Sequence, residues 1–289
     1  MKVAIVADSN SGITQEQGKE LGIYVLPMPF MIDGEQYLEG VSLTHEAFYE
    51  KMNAGANITT SQPSPGEVTD LWDQLLETYD EVVHIPMSSG LSSSCQTARL
   101  LAQDYDGRVE VVDNGHISVT QRQAALDARD LAAKGYRAAE IRGILEKHKK
   151  ESIIFVTVDT LKYLKKGGRV TPAAAALGTL LKIKPILSID GEKLDAFSKA
   201  RTVKQAKATM LSALEHELET RMHDPKAQNT YLEIAHTNNE AAAQELKAEL
   251  AERYPGAPIY VDGLSLSIAC HIGPGCFAVA CTKKLEELN

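Results

Sequence analysis

Residues 81–98 read EVVHIPMSSGLSSSCQTA, and they predict how the first half of the chain folds. The run from Glu81 to Pro86 is short and rich in β-formers, as expected for a buried strand. A loop of serine and glycine follows, and Ser93 to Gln96 has the spacing of a helix capping box. A strand, a loop and a helix in this order form the unit of a parallel sheet covered by helices.

The alternation of strands and helices extends over the whole first half. The predicted strands are Val3 to Ala7, Tyr24 to Pro27, Glu81 to Pro86 and Val109 to Asp113. Two more capping boxes, Thr14 to Gln17 and Ser64 to Glu67, predict the starts of two helices. We therefore expect a parallel sheet with helices on its faces.

A change in composition predicts a domain boundary. A charged helix ends at Glu151, and the apolar run Ile153 to Val158 begins directly after it. We therefore divide the chain into domains 1–151 and 152–289. The elements predicted for the second domain are an Ala-rich helix from Pro172 to Leu181, paired strands at Ile183 to Ile189 and Lys193 to Lys199, a long helix after Arg201, a strand at Tyr231 to His236, a helix from Glu240 to Arg253, and strands at Ile259 to Asp262 and Phe277 to Thr282. They make this domain α/β, with antiparallel strand pairs.

Composition indicates a globular, acidic protein. The 289 residues are 44% hydrophobic, which is enough for a sizeable core. The net charge of -9 argues against sequence-independent binding of nucleic acid, which needs Lys and Arg side chains. Asp8 interrupts the first apolar run before it reaches the length of a signal peptide, and no run of about 18 apolar residues follows. We expect a cytoplasmic protein without a transmembrane segment.

The four cysteines are interpreted as free, buried thiols. The sequence has no C-x-x-C pair, and free thiols are the rule in a reducing compartment. The alternative is a zinc site formed by Cys270, His271, Cys276 and Cys281. Structural zinc sites usually have more closely paired ligands, so we expect no metal ion.

Three loops rich in hydroxyl groups or glycine predict a site for an anion. They are residues 59–64, 87–94 and 271–275. Each lies where a strand should end or a helix begin, and helix N-termini offer unpaired N–H groups to anions. The alternative is that Ser and Thr serve only as helix caps. One hydroxyl suffices for a cap, whereas residues 88–94 contain five serines.

His271 is the histidine that we single out for function. It precedes Gly273 to Gly275, where glycine and proline fix the backbone and leave room for another group to approach. An imidazole beside a carboxylate donates a charge-assisted hydrogen bond and becomes more basic. The basic clusters Lys165 to Arg169 and Lys199 to Lys204 form a solvated face, a border of the anion site or a docking surface for an acidic partner.

Several segments, in order along the chain, resemble the motifs of the DegV family. They are Val6 to Ser11, Thr60 to Ser64 (TSQPS), Ile85 to Ser92, Tyr163 to Arg169 (YLKKGGR), Lys184 to Leu187, Lys199 to Arg201, and His271 to Gly275. One motif can arise by chance, whereas an ordered set that covers the whole chain is specific.

The resemblance implies a two-domain α/β fold. DegV proteins have an N-terminal α/β/α domain with a parallel sheet and a C-terminal two-layer α/β domain with a mixed sheet, and a fatty acid lies between the domains. The best-understood members are the non-catalytic, lipid-binding subunits of bacterial fatty acid kinase. They present the bound carboxylate to a separate ATP-binding kinase protein, which converts it to an acyl phosphate for phospholipid synthesis.

The resemblance also implies a set of site residues. For the fatty-acid carboxylate they are Thr60, Ser61, Ser92, Ser93, Ser94, His271 and Gly273, and for the partner or the phosphoryl transfer they are Arg201, Arg169 and Lys166. The expected ligand is a long-chain fatty acid of the palmitate, stearate or oleate type, without another cofactor. The implied protein partner is the ATP-binding fatty acid kinase.

The sequence departs from the family pattern at two positions, and two other functions stay open. Ser93 replaces a glycine and adds a side chain beside the head group, while Ile272 replaces a threonine that could orient the imidazole. A serine hydrolase with Ser92 as nucleophile and His271 as base is the main alternative, although the sequence has no G-x-S-x-G elbow. A lipid-sensing regulatory protein is the other.

Overall fold

The computed structural model of the chain describes residues 1–178 and 183–288. The chain divides into two compact units. The first unit consists of Met1–Lys149, Ser265–Cys270 and Leu285–Asn289, and the second of Lys150–Leu264 and His271–Lys284. The division into domains 1–151 and 152–289 stays a prediction.

The first unit contains seven strands and six α-helices before residue 150. The strands are β1 (Val3–Asp8), β2 (Tyr24–Leu26), β3 (Pro29–Ile32), β4 (Glu35–Leu38), β5 (Ile58–Thr60), β6 (Glu81–Ile85) and β7 (Val109–Val111). The helices are α1 (Gln15–Leu21), α2 (His45–Asn53), α3 (Pro65–Leu76), α4 (Ser94–Leu101), α5 (Ser118–Ala133) and α6 (Ala138–Lys147). The four strands that the sequence predicted here are confirmed, with ends that differ by no more than two residues.

The main sheet of the first unit is parallel, as predicted. Its strand order is β2-β1-β6-β7, and every neighbouring pair is parallel. β2 follows β1 in the chain and lies on one side of it, whereas β7 follows β6 and lies on the opposite side of the sheet. The order of the strands therefore reverses between β1 and β6. Ligands of open α/β sheets bind beyond the carboxyl ends of the strands at such a switch point. A three-stranded antiparallel sheet, β4-β3-β5, was not predicted.

Helices cover both faces of this parallel sheet. Ile5 and Ala7 of β1 pack with α5 and α6, whereas Ala4 and Val6 pack with α3 and α4. Successive side chains of a strand point to opposite faces, so one strand serves both cores. The N-terminal unit is therefore an α/β/α sandwich, in agreement with the family resemblance.

Two of the three predicted capping boxes are confirmed. Thr14 and Ser64 each accept from the backbone N–H three residues on and receive the reciprocal bond. The box predicted at Ser93 is wrong. Ser93 has helical dihedral angles, φ -76° and ψ -5°, so its side chain does not reach back to the helix N–H groups. Its hydroxyl lies 3.1 Å from Gln62 Oε1 instead.

The second unit is a mixed sheet with helices packed against it. Its strands are β8 (Ser152–Thr157), β9 (Lys184–Ile189), β10 (Asp195–Ala200), β11 (Thr230–His236), β12 (Ile259–Gly263) and β13 (Phe277–Lys283). Its helices are α7 (Lys162–Gly167), α8 (Pro172–Leu177), α9 (Val203–Thr220) and α10 (Glu240–Arg253). A further helix, α11 (Leu266–Ile272), begins in the first unit and ends in the second. Residues 179–181 of the predicted Ala-rich helix lie outside the described residues.

The second unit has the predicted two-layer arrangement. Its strand order is β10-β9-β8-β13-β11-β12, with β11 and β12 parallel and the other neighbours antiparallel. Helices α9 and α10 share one core with the strands, in which Phe155, Ile234 and Val279 meet Leu214 and Leu250. Over the described ranges, no helix is long and apolar enough to cross a membrane.

The core of the first unit gives a direct test of the fold. Leu131 of α5 is 0% exposed, and Leu131→Ala should lower the free energy of unfolding by about 2 to 5 kcal/mol, because the cavity adds to the lost burial. Leu100 of α4 is 65% exposed, so Leu100→Ala should change it by less than about 0.5 kcal/mol. Urea unfolding of both variants measures the difference. Equal effects would contradict the packing described.

Candidate functional site

The carboxyl end of β1 is fastened to the loop that follows β6. Asp8 Oδ2 accepts from the backbone N–H of Met87 at 2.8 Å, and Oδ1 accepts from Gln121 Nε2 at 2.9 Å and Asn10 N at 3.1 Å. Asp8 is 1% exposed, and burial raises the pKa of its carboxyl although these hydrogen bonds oppose the shift. Asp8 therefore anchors the start of residues 87–94, which we name the serine loop.

The serine loop is folded by hydrogen bonds to its own hydroxyl groups. Ser88 Oγ accepts from Gly90 N at 3.2 Å, and Ser92 Oγ accepts from Ser94 N at 3.2 Å. His116 O accepts from Ser88 N at 2.8 Å and holds the loop from outside. Ser92 Oγ is thus oriented through its lone pairs, and no described residue accepts its proton within hydrogen-bond distance. A hydroxyl in this state can donate to an anion.

Gln62 joins the other hydroxyl loop to helix α4. Gln62 Oε1 accepts from Ser93 Oγ at 3.1 Å and from Thr97 Oγ1 at 3.2 Å. Thr60 ends β5 opposite Phe30, and Ser61 N donates to the carbonyl of Pro29. The structure therefore brings residues 60–62 together with the start of α4. Gln62 lies within the TSQPS segment, but sequence reasoning gave it no role.

Ser94 faces a different environment from Ser92. Its Oγ atom is buried and has no hydrogen-bond partner among the described residues. It lines a pocket within the first unit together with His84, and the wall of this pocket is completed by Asp8, Leu26, Gln62, Pro63, Val68, Pro86, Thr97 and Ala98. Burial lowers the pKa of His84 to about 4, so the imidazole on this side of the pocket is uncharged at neutral pH.

In the second unit, two family motifs pack against each other through their glycines. A Cβ atom on Gly167 would lie 2.6 Å from Nδ1 of His271. A Cβ atom on Gly273, whose φ is +82°, would lie 2.6 Å from the ring of Tyr163. Such distances are far below van der Waals contact, so a side chain at either position would displace its neighbour. The YLKKGGR and HIGPG segments are therefore parts of one packed structure.

The imidazole of His271 is neutral at pH 7. Burial, with the nearby cations of Arg169 and Lys166, lowers its pKa to about 4. Arg169 itself donates from Nη1 to the carbonyl of Gly167. An ionised carboxylate beside the ring would offset the positive charges of Arg169 and Lys166 and so raise the pKa of His271.

Two residues that sequence reasoning missed hold the HIGPG loop. Thr237 Oγ1 donates to the carbonyl of Gly273 at 2.7 Å and accepts from Cys276 N at 3.0 Å. Asn239 Nδ2 donates to the carbonyl of Gly275 at 3.0 Å. Thr237 directly follows β11 and Asn239 lies three residues after its end, so the rule that functional polar groups follow strand ends could have found them.

The predicted basic residues lie on the surface of the second unit. Arg201 follows β10 and is exposed, and its backbone N–H donates to Gln205 Oε1 at 2.9 Å. Thr202 Oγ1 accepts from Gln205 N at 3.1 Å and caps α9. Lys166 is exposed near the end of α7, and Arg169 is partly buried.

The predicted site residues are divided between the two units. The first unit holds the hydroxyl groups of Thr60, Ser61, Ser92, Ser93 and Ser94, and the second holds His271, Gly273, Arg169, Lys166 and Arg201. The four cysteines are buried free thiols. Throughout the part of the chain that the structure describes, no three His, Cys, Asp or Glu side chains are grouped as metal ligands.

Comparison with known proteins identifies a family and relatives of this chain. The family model described as "Uncharacterised protein, DegV family" matches residues 2–284. A DegV domain-containing protein of Deinococcus radiodurans is 38% identical over 211 residues, which cover 73% of this chain and 75% of that protein.

Solved structures with the same fold carry names that state a ligand. A DegV family protein from Thermus thermophilus, described by its fatty acid binding, has a TM-score of 0.89 and 31% identity, with 98% of this chain and 100% of that chain covered. DegV of Bacillus subtilis, named a fatty acid binding protein, has a TM-score of 0.87 and 30% identity, with the same coverage of 98% and 100%.

The contact between Gly167 and His271 can be tested without a ligand. Gly167→Ala should shift the imidazole NMR resonances of His271 and destabilise the protein by about 1 to 3 kcal/mol, because the added methyl group overlaps the ring. Gly143→Ala in α6 is the control, since its Cβ would meet nothing within 4 Å. It should leave the His271 resonances unchanged. Unchanged resonances in Gly167→Ala as well would show that the ring lies elsewhere.

Proposed function

Because this chain belongs to the DegV family, we propose that it binds one long-chain fatty acid and holds the carboxylate with hydroxyl groups and His271. The observation that carries the proposal is the Ser92 hydroxyl, whose oxygen is fixed by Ser94 N while its proton finds no acceptor among the described residues. Relatives of at least 30% identity that are named for fatty acid binding support the choice of ligand.

The energetics favour a fatty acid over a small anion. Burial of an acyl chain contributes about 0.8 kcal/mol per CH2, so a tail of palmitate length contributes on the order of 10 kcal/mol before ordering costs. A carboxylate that leaves water loses much of this gain unless it is hydrogen-bonded. Donors such as the Ser92 hydroxyl limit that loss, while the tail supplies most of the affinity.

The proposal assigns the carboxylate to Thr60 or Ser61, to Ser92 and to His271. The order of the family motifs along the chain supports assigning these residues to one ligand. His271 acts first as a neutral donor and gains proton affinity when the carboxylate binds, because the negative charge offsets Arg169 and Lys166. Gly273 has no side chain, and the ring of Tyr163 occupies the space that a Cβ atom there would need.

The other predicted hydroxyls have supporting roles in this proposal. The Ser93 hydroxyl contacts Gln62, so it keeps the TSQPS segment on α4. The Ser94 side chain lines the pocket beside His84, and its backbone N–H fixes Ser92. Ser93 therefore replaces the family's glycine at a position where the added side chain has a partner of its own.

The ligand and its head-group contacts are tested together. Organic extracts of the purified protein should contain about one palmitate-, stearate- or oleate-type fatty acid per chain. Ser92→Ala and His271→Ala should each weaken binding of added palmitate by about 1 to 3 kcal/mol in calorimetry, because a buried carboxylate loses a hydrogen bond. The controls are Ser212→Ala and His216→Ala, which change exposed residues of α9.

Two results would overturn the proposal. One is a protein that carries no lipid and binds no added palmitate or oleate. The other is ester hydrolysis that depends on Ser92 and His271, which would support the hydrolase alternative.

The family resemblance extends the proposal to a protein partner. We propose that the bound carboxylate is presented to a separate ATP-binding kinase, with Arg201, Arg169 and Lys166 serving the partner or the phosphoryl transfer. The exposed position of Arg201 at the end of β10 supports a role outside lipid affinity. Charge develops on a phosphoryl group in transfer, and a guanidinium is suited to stabilise it.

Arg201→Ala distinguishes a role in lipid binding from a role in phosphoryl transfer. It should keep palmitate affinity within about threefold and lower acyl phosphate formation with a cognate kinase and ATP by about tenfold or more, because it removes stabilisation made only in the transition state. Arg253→Ala on α10 is the control for loss of an exposed arginine. Fluorescence displacement and a reconstituted phosphorylation assay give the two readouts. Lost lipid affinity with unchanged turnover would assign Arg201 to the head group instead.

A further inference from the structure

Glu39 is a buried carboxyl group that holds the start of helix α11. It lies directly after β4 and is 6% exposed. The backbone N–H of Leu266 donates to its Oε1, Ser9 Oγ donates to its Oε2 at 2.7 Å, and Ser267 Oγ lies 3.0 Å from Oε2. These three partners are uncharged. A carboxyl group at this place satisfies N–H groups that the first turn of a helix leaves unpaired.

The same hydrogen-bond network reaches the serine loop. Ser267 Oγ donates to Asn10 Oδ1 at 2.6 Å, and Asn10 N donates to Asp8 Oδ1 at 3.1 Å. Asp8 in turn accepts from Met87 N, the first residue of the serine loop. The start of α11 and the start of the serine loop are therefore held by one chain of buried polar groups, all within the first unit.

Helix α11 carries this constraint to His271. His271 lies five residues after Leu266 in the same seven-residue helix. A helix rises about 1.5 Å per residue, so the imidazole is attached roughly 7.5 Å along the axis from the turn that Glu39 holds. The helix has only about two turns, so a contact that holds its first turn also limits the movement of its last turn.

We propose that Glu39 is a positioning residue for His271, and that it acts by holding the first turn of α11. The inference deepens the proposed function, on which its lipid-binding readout rests. Glu39 does not touch the fatty acid in this proposal. It sets the direction of the helix whose last turn brings the imidazole to the carboxylate.

The hydrogen bonds indicate which chemical form of Glu39 does this. Ser267 has one hydroxyl proton, and the shorter contact directs it to Asn10 rather than to Glu39. A protonated Glu39 completes the network by donating to Ser267 Oγ. Burial, with the charge of Asp8 as a further contribution, raises the pKa of Glu39 to about 7, so a large fraction of Glu39 carries this proton at pH 7. Glutamine keeps the two bonds to α11, because its carbonyl oxygen accepts from Leu266 N and its amide group donates to Ser267 Oγ, but it cannot accept from Ser9.

The chain offers a matched control in Glu81. It is 4% exposed, and its Oε2 accepts from Ala138 N at 2.8 Å, at the start of α6. Glu81 thus holds a helix start as Glu39 does, but α6 carries none of the proposed ligands of the fatty acid. Glu39→Ala and Glu81→Ala therefore each remove a carboxyl group that holds a helix start, and Glu81→Ala also removes an ion pair with Arg137.

The experiment combines palmitate affinity with NMR of labelled histidine. Glu39→Ala should weaken palmitate binding by about tenfold or more and shift the His271 resonances of the lipid-free protein, since a buried helix start loses its acceptor. Glu39→Gln should restore affinity to within about threefold of wild type and restore the resonances, since the amide keeps the acceptor for Leu266 N. Glu81→Ala should lower stability but leave both readouts unchanged.

The outcomes separate the inference from the function on which it rests. If wild-type protein binds palmitate, and Glu39→Ala binds equally well with unchanged His271 resonances, the positioning role is wrong while lipid binding stands. If wild-type protein binds no fatty acid, but Glu39→Ala still shifts His271, the proposed function fails while the positioning role stands. If Glu39→Ala does not fold, Ser267→Ala serves as the second variant, and unchanged His271 resonances there would also overturn the inference.

Discussion

The carboxyl group of Asp8 is the interaction on which the site of the first unit depends. A buried carboxyl group is costly unless it is hydrogen-bonded, and Asp8 meets this requirement with N–H groups from Asn10, Met87 and Gln121. These donors belong to three separate segments at the switch point of the sheet. One carboxyl group thereby fixes the serine loop to β1 and orients Ser92 through that loop. The orientation of the Ser92 hydroxyl therefore depends on a carboxyl group at the end of β1.

Much of the fold could be predicted because its signals are local. The run Glu81 to Pro86 and the boxes at Thr14 and Ser64 depend on neighbours within a few residues. The prediction at Ser93 failed because the same spacing also fits a serine that is already helical, and only the backbone angles distinguish the two cases. The sheet β4-β3-β5 was missed because its strands are short and β4 is partly charged, so they have no clear alternation.

The candidate site was less predictable than the fold, because its supporting contacts join distant parts of the chain. The loop patterns and the family resemblance supplied Ser92 and His271, but no sequence pattern pairs Gln62 with Thr97 or Thr237 with Gly273. The pairing of Gly167 with His271 likewise becomes visible only when the two segments are packed. A glycine motif in a sequence indicates that another group packs close to the backbone, but it does not identify that group.

The return of the chain to its first unit has a consequence for synthesis on the ribosome. Glu39 and Leu266 are 227 positions apart, so the donor that completes the buried carboxyl group emerges long after the parallel sheet. At about 5 to 20 residues per second, that interval is roughly 11 to 45 seconds. During this time the nascent first unit exposes an unfinished polar cluster where Ser265–Cys270 will later pack. The first unit therefore reaches its final state only after nearly the entire chain has been translated.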